Sequence, residues 1–189
     1  MNEIFDEQLE IAKNFHGEIC GGVLTGTKMS IYAIDRFNFN FNEKNSELIS
    51  VVEIDRCVYD AVQAITQGST GTKSVKLIDY GKFAVTFFNK KTKEAFRLTD
   101  IDASSTVNTG ETLNERTERY KNTPTEELFK IEDVIINFDE HNLPGMPTIK
   151  KRCSVCNEVV LDNKHSLING KAICQSCLNG SYYEIIDKK

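Results

Sequence analysis

The densest chemistry in the chain is near its end. Cys153-x-x-Cys156 and Cys174-x-x-Cys177 are separated by 17 residues. Each pair can bend into a knuckle that offers two thiolates to one ion. Two such knuckles complete the tetrahedral tetrathiolate that zinc adopts in structural sites. An iron–sulfur cluster or a pair of disulfides are the competing uses of four cysteines. His165 could replace a ligand, but four cysteines already close the shell, and the expectation for it is an exposed hairpin position. A closed shell leaves no coordination position for substrate, so zinc here is expected to be structural rather than catalytic.

A second constellation stands alone at the other end, in Phe15-His16-Gly17-Glu18-Ile19-Cys20-Gly21-Gly22. His16 and Cys20 are four residues apart, so one helical turn or a compact loop can bring them together. Cys20 precedes a helical pattern, where the positive end of the helix dipole favours a thiolate. Thiolate and imidazole suit a nucleophile–base pair or half of a soft metal site. An equally open reading makes Cys20 a small buried hydrophobe and His16 a satisfied polar residue. The remaining lone thiol, Cys57, also stands where a strand pattern ends and a helix pattern begins, so convergence with Cys20 is geometrically reasonable.

The elements that must position these groups follow from hydrophobic period and turn chemistry. Helices are expected from about Phe5 to Asn14, from Val23 to Arg36 and from Cys57 to Thr66, with Asp55 able to cap the third. Glu47–Ile54 reads as a strand. Val75–Ile78, Phe83–Phe88 and Ala95–Leu98 read as three further strands. Both joins between those three, through Asp79-Tyr80-Gly81-Lys82 and through Asn89–Glu94, suit antiparallel hairpins. Asp100–Gly110 is polar and loop-like. Glu111–Tyr120 and Thr125–Lys130 are helical, and Ile131–Phe138 fits strand or helix. Prolines and a glycine between Asp139 and Pro147 mark a linker, placing a first domain at 1–146 and a small module at 147–189. Inside the module, Val159–Leu161 and Ser166–Ile168 are strand-like. Asn169-Gly170 then turns a hairpin into Lys171–Cys174. About 40 residues bury too little apolar surface to fold unaided, so metal would supply much of their stability.

The chain has 189 residues, 40% of them hydrophobic and 27% charged, which describes an ordinary globular protein. No run of about 18 apolar residues exists to span a membrane. The start, Met1-Asn2-Glu3-Ile4-Phe5-Asp6-Glu7, lacks the basic and apolar stretches of a signal peptide, so a cytoplasmic location is expected. The net charge of −5 is uneven. From Ile149 onward seven basic residues face four acidic ones, so the preceding 148 residues carry −8. A basic module could touch phosphates, but its cation density is near average and nucleic acid is the weaker expectation.

Taken together, several segments resemble the family of proteins like the E component of formylmethanofuran dehydrogenase (FmdE). They are Phe15-His16-Gly17-x-x-Cys20-x-Gly22, Glu53-x-Asp55-x-Cys57-x-x-Asp60-Ala61, Gly68-x-Thr70-x-x-Lys73 and Asp79-Tyr80-Gly81-Lys82-x-Ala84, followed by the four-cysteine ribbon. The resemblance implies an α+β fold, an antiparallel sheet with flanking helices, followed by a small C-terminal zinc ribbon. It further implies a homodimer and a pocket shared by His16, Cys20 and Cys57 that holds a second metal. The family takes its name from a molybdenum or tungsten enzyme that reduces carbon dioxide onto methanofuran, and a metalloenzyme partner follows from that name. Members outside methanogens mean that the name does not fix the reaction. The chain departs from the family pattern at Glu18, where a second histidine is usual, and at Gly21, where proline is usual. Ser69 likewise stands where many members have cysteine. A carboxylate at Glu18 could still ligate zinc, whereas Ser69 cannot do thiol chemistry.

Two functions follow. One is a metal-binding accessory protein, or a small enzyme, using Cys20, Cys57 and His16 as ligands or reactive groups. The other is a non-catalytic interaction module whose ribbon docks a partner protein or nucleic acid. No phosphate loop, dinucleotide fingerprint or serine-hydrolase elbow is present to suggest a different chemistry.

Overall fold

The computed structural model describes residues 2–101, 110–147 and 149–186. The stretch expected as an Asp100–Gly110 loop therefore falls, at 102–109, outside the described residues. The chain divides into two compact units, Met1–Asn137 and Phe138–Lys189.

The first unit is an α+β sandwich of helices on a five-stranded sheet. Helix α1 (Asn2–His16) buries Phe5, Leu9 and Ala12, one stripe at helical spacing. Helix α2 (Gly21–Arg36) buries Val23, Leu24, Met29, Ala33 and Ile34. Helix α3 (Cys57–Thr66) turns Val58, Ala61, Val62 and Ile65 into the same core. The strands are β1 (Leu48–Val52), β2 (Val75–Leu77), β3 (Ala84–Asn89), β4 (Ala95–Thr99) and β5 (Lys130–Asp133), in the order β2-β1-β3-β4-β5. Every residue of β1 and β3 is buried, as befits inner strands of the sheet. Leu48, Val52, Val85, Phe87, Phe96 and Leu98 join the helical core. Helices α4 (Leu113–Asn122) and α5 (Thr125–Leu128) lead into β5. A capping box of Thr112 and Glu115 starts α4 two residues later than the sequence pattern suggests.

Two local expectations are corrected. Strand β2 does not form a hairpin with β3. It lies parallel to β1, in register Ser50↔Val75 and Val52↔Leu77, while β3 takes the other edge of β1. A parallel pair needs a crossover connection, and α3 supplies it. Asp79–Lys82 instead folds over the end of β1, with Ile78 N–H donating to Val52 O and Tyr80 and Lys82 N–H both donating to Glu53 O. The join at Asn89–Glu94 does form the expected antiparallel hairpin, with Phe87 opposite Phe96. The second correction concerns α3, whose N-cap is Arg56 and not Asp55, with no side-chain cap.

The second unit holds two short hairpins among its described residues. Strands β6 (Lys150–Arg152) and β7 (Val159–Leu161) pair around the first Cys-x-x-Cys. Strands β8 (His165–Ile168) and β9 (Lys171–Cys174) pair through Asn169-Gly170, both at positive φ, as a tight two-residue turn requires. The last element, α6 (Gln175–Asn179), carries Cys177 in its first turn.

Candidate metal centres

The first centre forms where three helix ends meet. His16 is the last residue of α1, Cys20 is the N-cap of α2, and Cys57 is the first residue of α3. Gly17, at φ +108°, ends α1 sharply and returns the chain toward α2. Crossover geometry explains Cys57: leaving the buried end of β1, the chain must start α3 at once, at the carboxyl edge of the sheet. The third contribution is the close approach of α2 to α3. A Cβ at Gly22 would stand 2.9 Å from Cys57 Cβ, and one at Gly26 would stand 2.7 Å from Ala61 Cβ and 2.8 Å from Val58 O. Only glycine at these positions lets α3 sit that near.

The result brings all three sequence candidates together. One ligand atom each from His16, Cys20 and Cys57 lie within 4.8 Å of one another. Cys20 Sγ stands 4.0 Å from His16 Nε2. The other ring nitrogen, Nδ1, lies 2.8 Å from Asp60 Oδ2. A carboxylate only accepts, so Nδ1 donates to it and Nε2 is the ring nitrogen turned toward the thiols. This carboxylate–histidine relay is the arrangement that orients metal-ligating imidazoles elsewhere. The set also fits a metal in its donor chemistry: two sulfurs and an imidazole suit zinc and other borderline-soft ions. Tetrahedral zinc would hold S and N donors about 3.6 Å apart, a small contraction from the spacing here. Burial, with neighbouring Cys20, pushes the metal-free Cys57 thiol up to about 11. A metal therefore has to displace that proton.

Asp60, present in the sequence reading only as part of a motif, is the residue that orients His16. Its one signal was position: three after Cys57, it lies on the same side of α3. Glu18 is exposed and is not among the clustered ligand atoms. Ser69 engages its own loop, with Oγ 3.0 Å from Thr72 Oγ1, and the Thr70 hydroxyl bonds Tyr59 Oη. These hydroxyls satisfy one another and account for the polarity of the loop. Tyr80 is largely exposed, with the Lys82 ammonium 5.8 Å from its ring centre.

The second centre gathers Cys153, Cys156, Cys174 and Cys177, again with all ligand atoms within 4.8 Å. Zn–S bonds of about 2.3 Å in a tetrahedron set sulfurs about 3.8 Å apart. The Cys156 and Cys174 sulfurs stand at 3.8 Å. Cys153 Sγ accepts from Cys174 N–H at 3.3 Å and from Val155 N–H at 3.4 Å. Those amides bring its pKa down to about 6, ready for a metal as thiolate. Cys177, crowded by Cys174 and the other sulfurs, is pushed up to about 12. One knuckle lies between β6 and β7, while the other pair spans the end of β9 and the start of α6 rather than a second hairpin turn. His165 is not the exposed residue expected: it is half-buried opposite Cys174, its Nδ1 without a hydrogen-bond partner.

A crystal structure of a tungsten formylmethanofuran dehydrogenase FmdE-like protein from Syntrophus aciditrophicus superposes with a TM-score of 0.63, at 22% identity, over 95% of each chain. That likeness carries the fold. A probable S-adenosyl-L-methionine-binding protein of Archaeoglobus fulgidus is 26% identical over 206 aligned residues, covering 94% of this chain. The chain spans 54% of that relative's length. The family model described as FmdE, molybdenum formylmethanofuran dehydrogenase operon, matches residues 15–136, a stretch that begins beside His16 and runs past β5. A chain matched over that whole span, with the two thiols and the imidazole of the first centre inside it, belongs to the FmdE family.

Proposed function

We propose that the chain is a metal-binding accessory protein resembling the FmdE component of molybdenum/tungsten formylmethanofuran dehydrogenase. In this reading His16, Cys20 and Cys57 hold a metal in the first unit, and Cys153, Cys156, Cys174 and Cys177 hold a structural zinc in the second. The observation that carries it is the convergence of three donor atoms from three helix ends, with Asp60 fixing the imidazole. Three protein ligands leave a tetrahedral ion one position open, the difference between a working site and a closed structural one. The reading sets the protein in a reducing cytoplasm, where six cysteines without disulfides stay available to metals, and the family resemblance adds a homodimer. Metal analysis tests the proposal. Protein purified without chelators should carry two equivalents per chain, falling to one in Cys20→Ser and in Cys57→Ser. One equivalent in the unaltered protein contradicts it.

A second reading has its own support. Val155, Val159 and Leu167 in the second unit are each more than half exposed. Apolar side chains displayed on a small ribbon suit an interaction role in which it docks a partner. Partner capture by the full chain would then be lost in Leu167→Asp and unaffected by His16→Ala.

A further inference from the structure

The two thiols of the first centre face each other as well as a metal. Cys20 and Cys57 come from different helices, yet their sulfurs lie within 4.8 Å. Cys57 lies close to the start of α2 because Gly22 has no side chain there: a Cβ on Gly22 would stand 2.9 Å from Cys57 Cβ. A disulfide needs its sulfurs at about 2.05 Å and its Cβ atoms about 3.5–4.5 Å apart. Both residues sit at helix starts, where the backbone is less tightly bonded than inside a helix. The other four thiols are engaged with one another in the second unit.

We propose that Cys20 and Cys57 form a peroxide-sensitive pair that oxidises to an intramolecular disulfide and so withdraws two of the three donors of the centre. The part concerning metal rests on the function proposed above; the thiol chemistry does not. Cys20 is assigned as the attacking residue because its sulfur has the His16 ring beside it, Nε2 at 4.0 Å. The sulfur attacks one oxygen of hydrogen peroxide and the O–O bond breaks. The departing oxygen takes the thiol proton and leaves as water, giving Cys20 sulfenic acid. Cys57 sulfur then displaces the hydroxyl, which leaves as a second water with the Cys57 proton, and the S–S bond forms. Two thiols are oxidised by two electrons and one peroxide is reduced to two waters. A dithiol reverses the change by exchange. Bound metal engages both sulfurs and blocks the first step, so oxidation and metal loading exclude each other.

Peptide mapping tests this. Metal-stripped, reduced full-length protein is treated with hydrogen peroxide, its free thiols are alkylated, and it is digested with trypsin without reduction. The expected product joins peptide 14–28 to peptide 57–73, the tryptic peptides that contain Cys20 and Cys57. It should disappear on treatment with dithiothreitol and be absent from Cys20→Ser. Failure of this link to form, with Cys20 instead carried on to sulfinic acid or recovered as the alkylated thiol, overturns the inference. Preloading with zinc should slow formation of the link at least tenfold. A link that forms equally fast with zinc upholds the disulfide but overturns both the mutual exclusion and the metal site.

Discussion

The His16 imidazole and the Asp60 carboxylate, 44 residues apart in sequence, meet at 2.8 Å through Nδ1 and Oδ2. That single contact ties the end of α1 to α3 and decides which ring nitrogen faces the thiols. Without it the imidazole could rotate or change tautomer. With it, Nε2 is a preset donor.

Asp60→Asn is therefore expected to leave the fold intact and weaken metal binding at the first centre by about 10–100-fold. Competition against a calibrated chelator measures the affinity, with circular dichroism reporting the fold. An unchanged affinity would mean that Asp60 pairs with His16 without tuning it as a ligand.

The approach of α2 to α3 makes a second prediction. Gly26→Ala places a methyl against Val58 O and Ala61 Cβ, and should destabilise the protein by about 1–3 kcal/mol through overpacking. Gly22→Ala pushes directly on Cys57, so it should also weaken the first centre. Gly71→Ala is the control: nothing lies within 4 Å of a Cβ there, and its effect on thermal unfolding should be near zero.

The raised pKa of Cys57 sets a pH dependence. In the metal-free protein its thiol is held up to about 11 against an ordinary 9.0. The folded state thus favours the protonated form more than the unfolded state does. Its stabilising contribution is complete below about pH 9 and is lost as pH rises toward 11. Iodoacetamide should modify Cys57 slowly at pH 8 and progressively faster up to pH 11. Metal affinity should rise with pH over the same range, since binding releases the proton.

Much of this architecture is legible in the residues themselves. The apolar stripe Val58, Ala61, Val62, Ile65 announces α3 from Cys57 to Thr66, and Asn169-Gly170 announces the β8–β9 turn. The ribbon cysteines are visible because metal-ligand spacing is local. What is hidden depends on contacts distant in sequence. The parallel pairing of β2 with β1 follows from the α3 crossover, and nothing local in Val75–Ile78 distinguishes it from a hairpin strand. Asp60 acquires its role only once α1 and α3 are packed. Gly22 and Gly26, four apart, carry a signal for close helix approach, but it becomes readable only when α3 is known to lie opposite. Strand β6, Lys150-Lys151-Arg152, has no apolar residue and is held by pairing with β7.

The dependence of the ribbon on metal can be separated from the first unit. A high-affinity zinc chelator should collapse hydrogen-exchange protection in β8 and β9, where the apolar residues Leu167 and Ile168 are largely exposed and contribute little core. Amides of β1 and β3 should keep their protection, because every residue of those strands is buried. Loss of protection in both units together would show that the ribbon metal is not the local determinant.

Diffraction data collected on either side of metal absorption edges test the central claim most directly. An anomalous peak bounded by His16 Nε2, Cys20 Sγ and Cys57 Sγ is expected, alongside one among the four ribbon sulfurs. A peak at the ribbon alone, from protein loaded with excess metal and kept reduced, would contradict the proposed metal site.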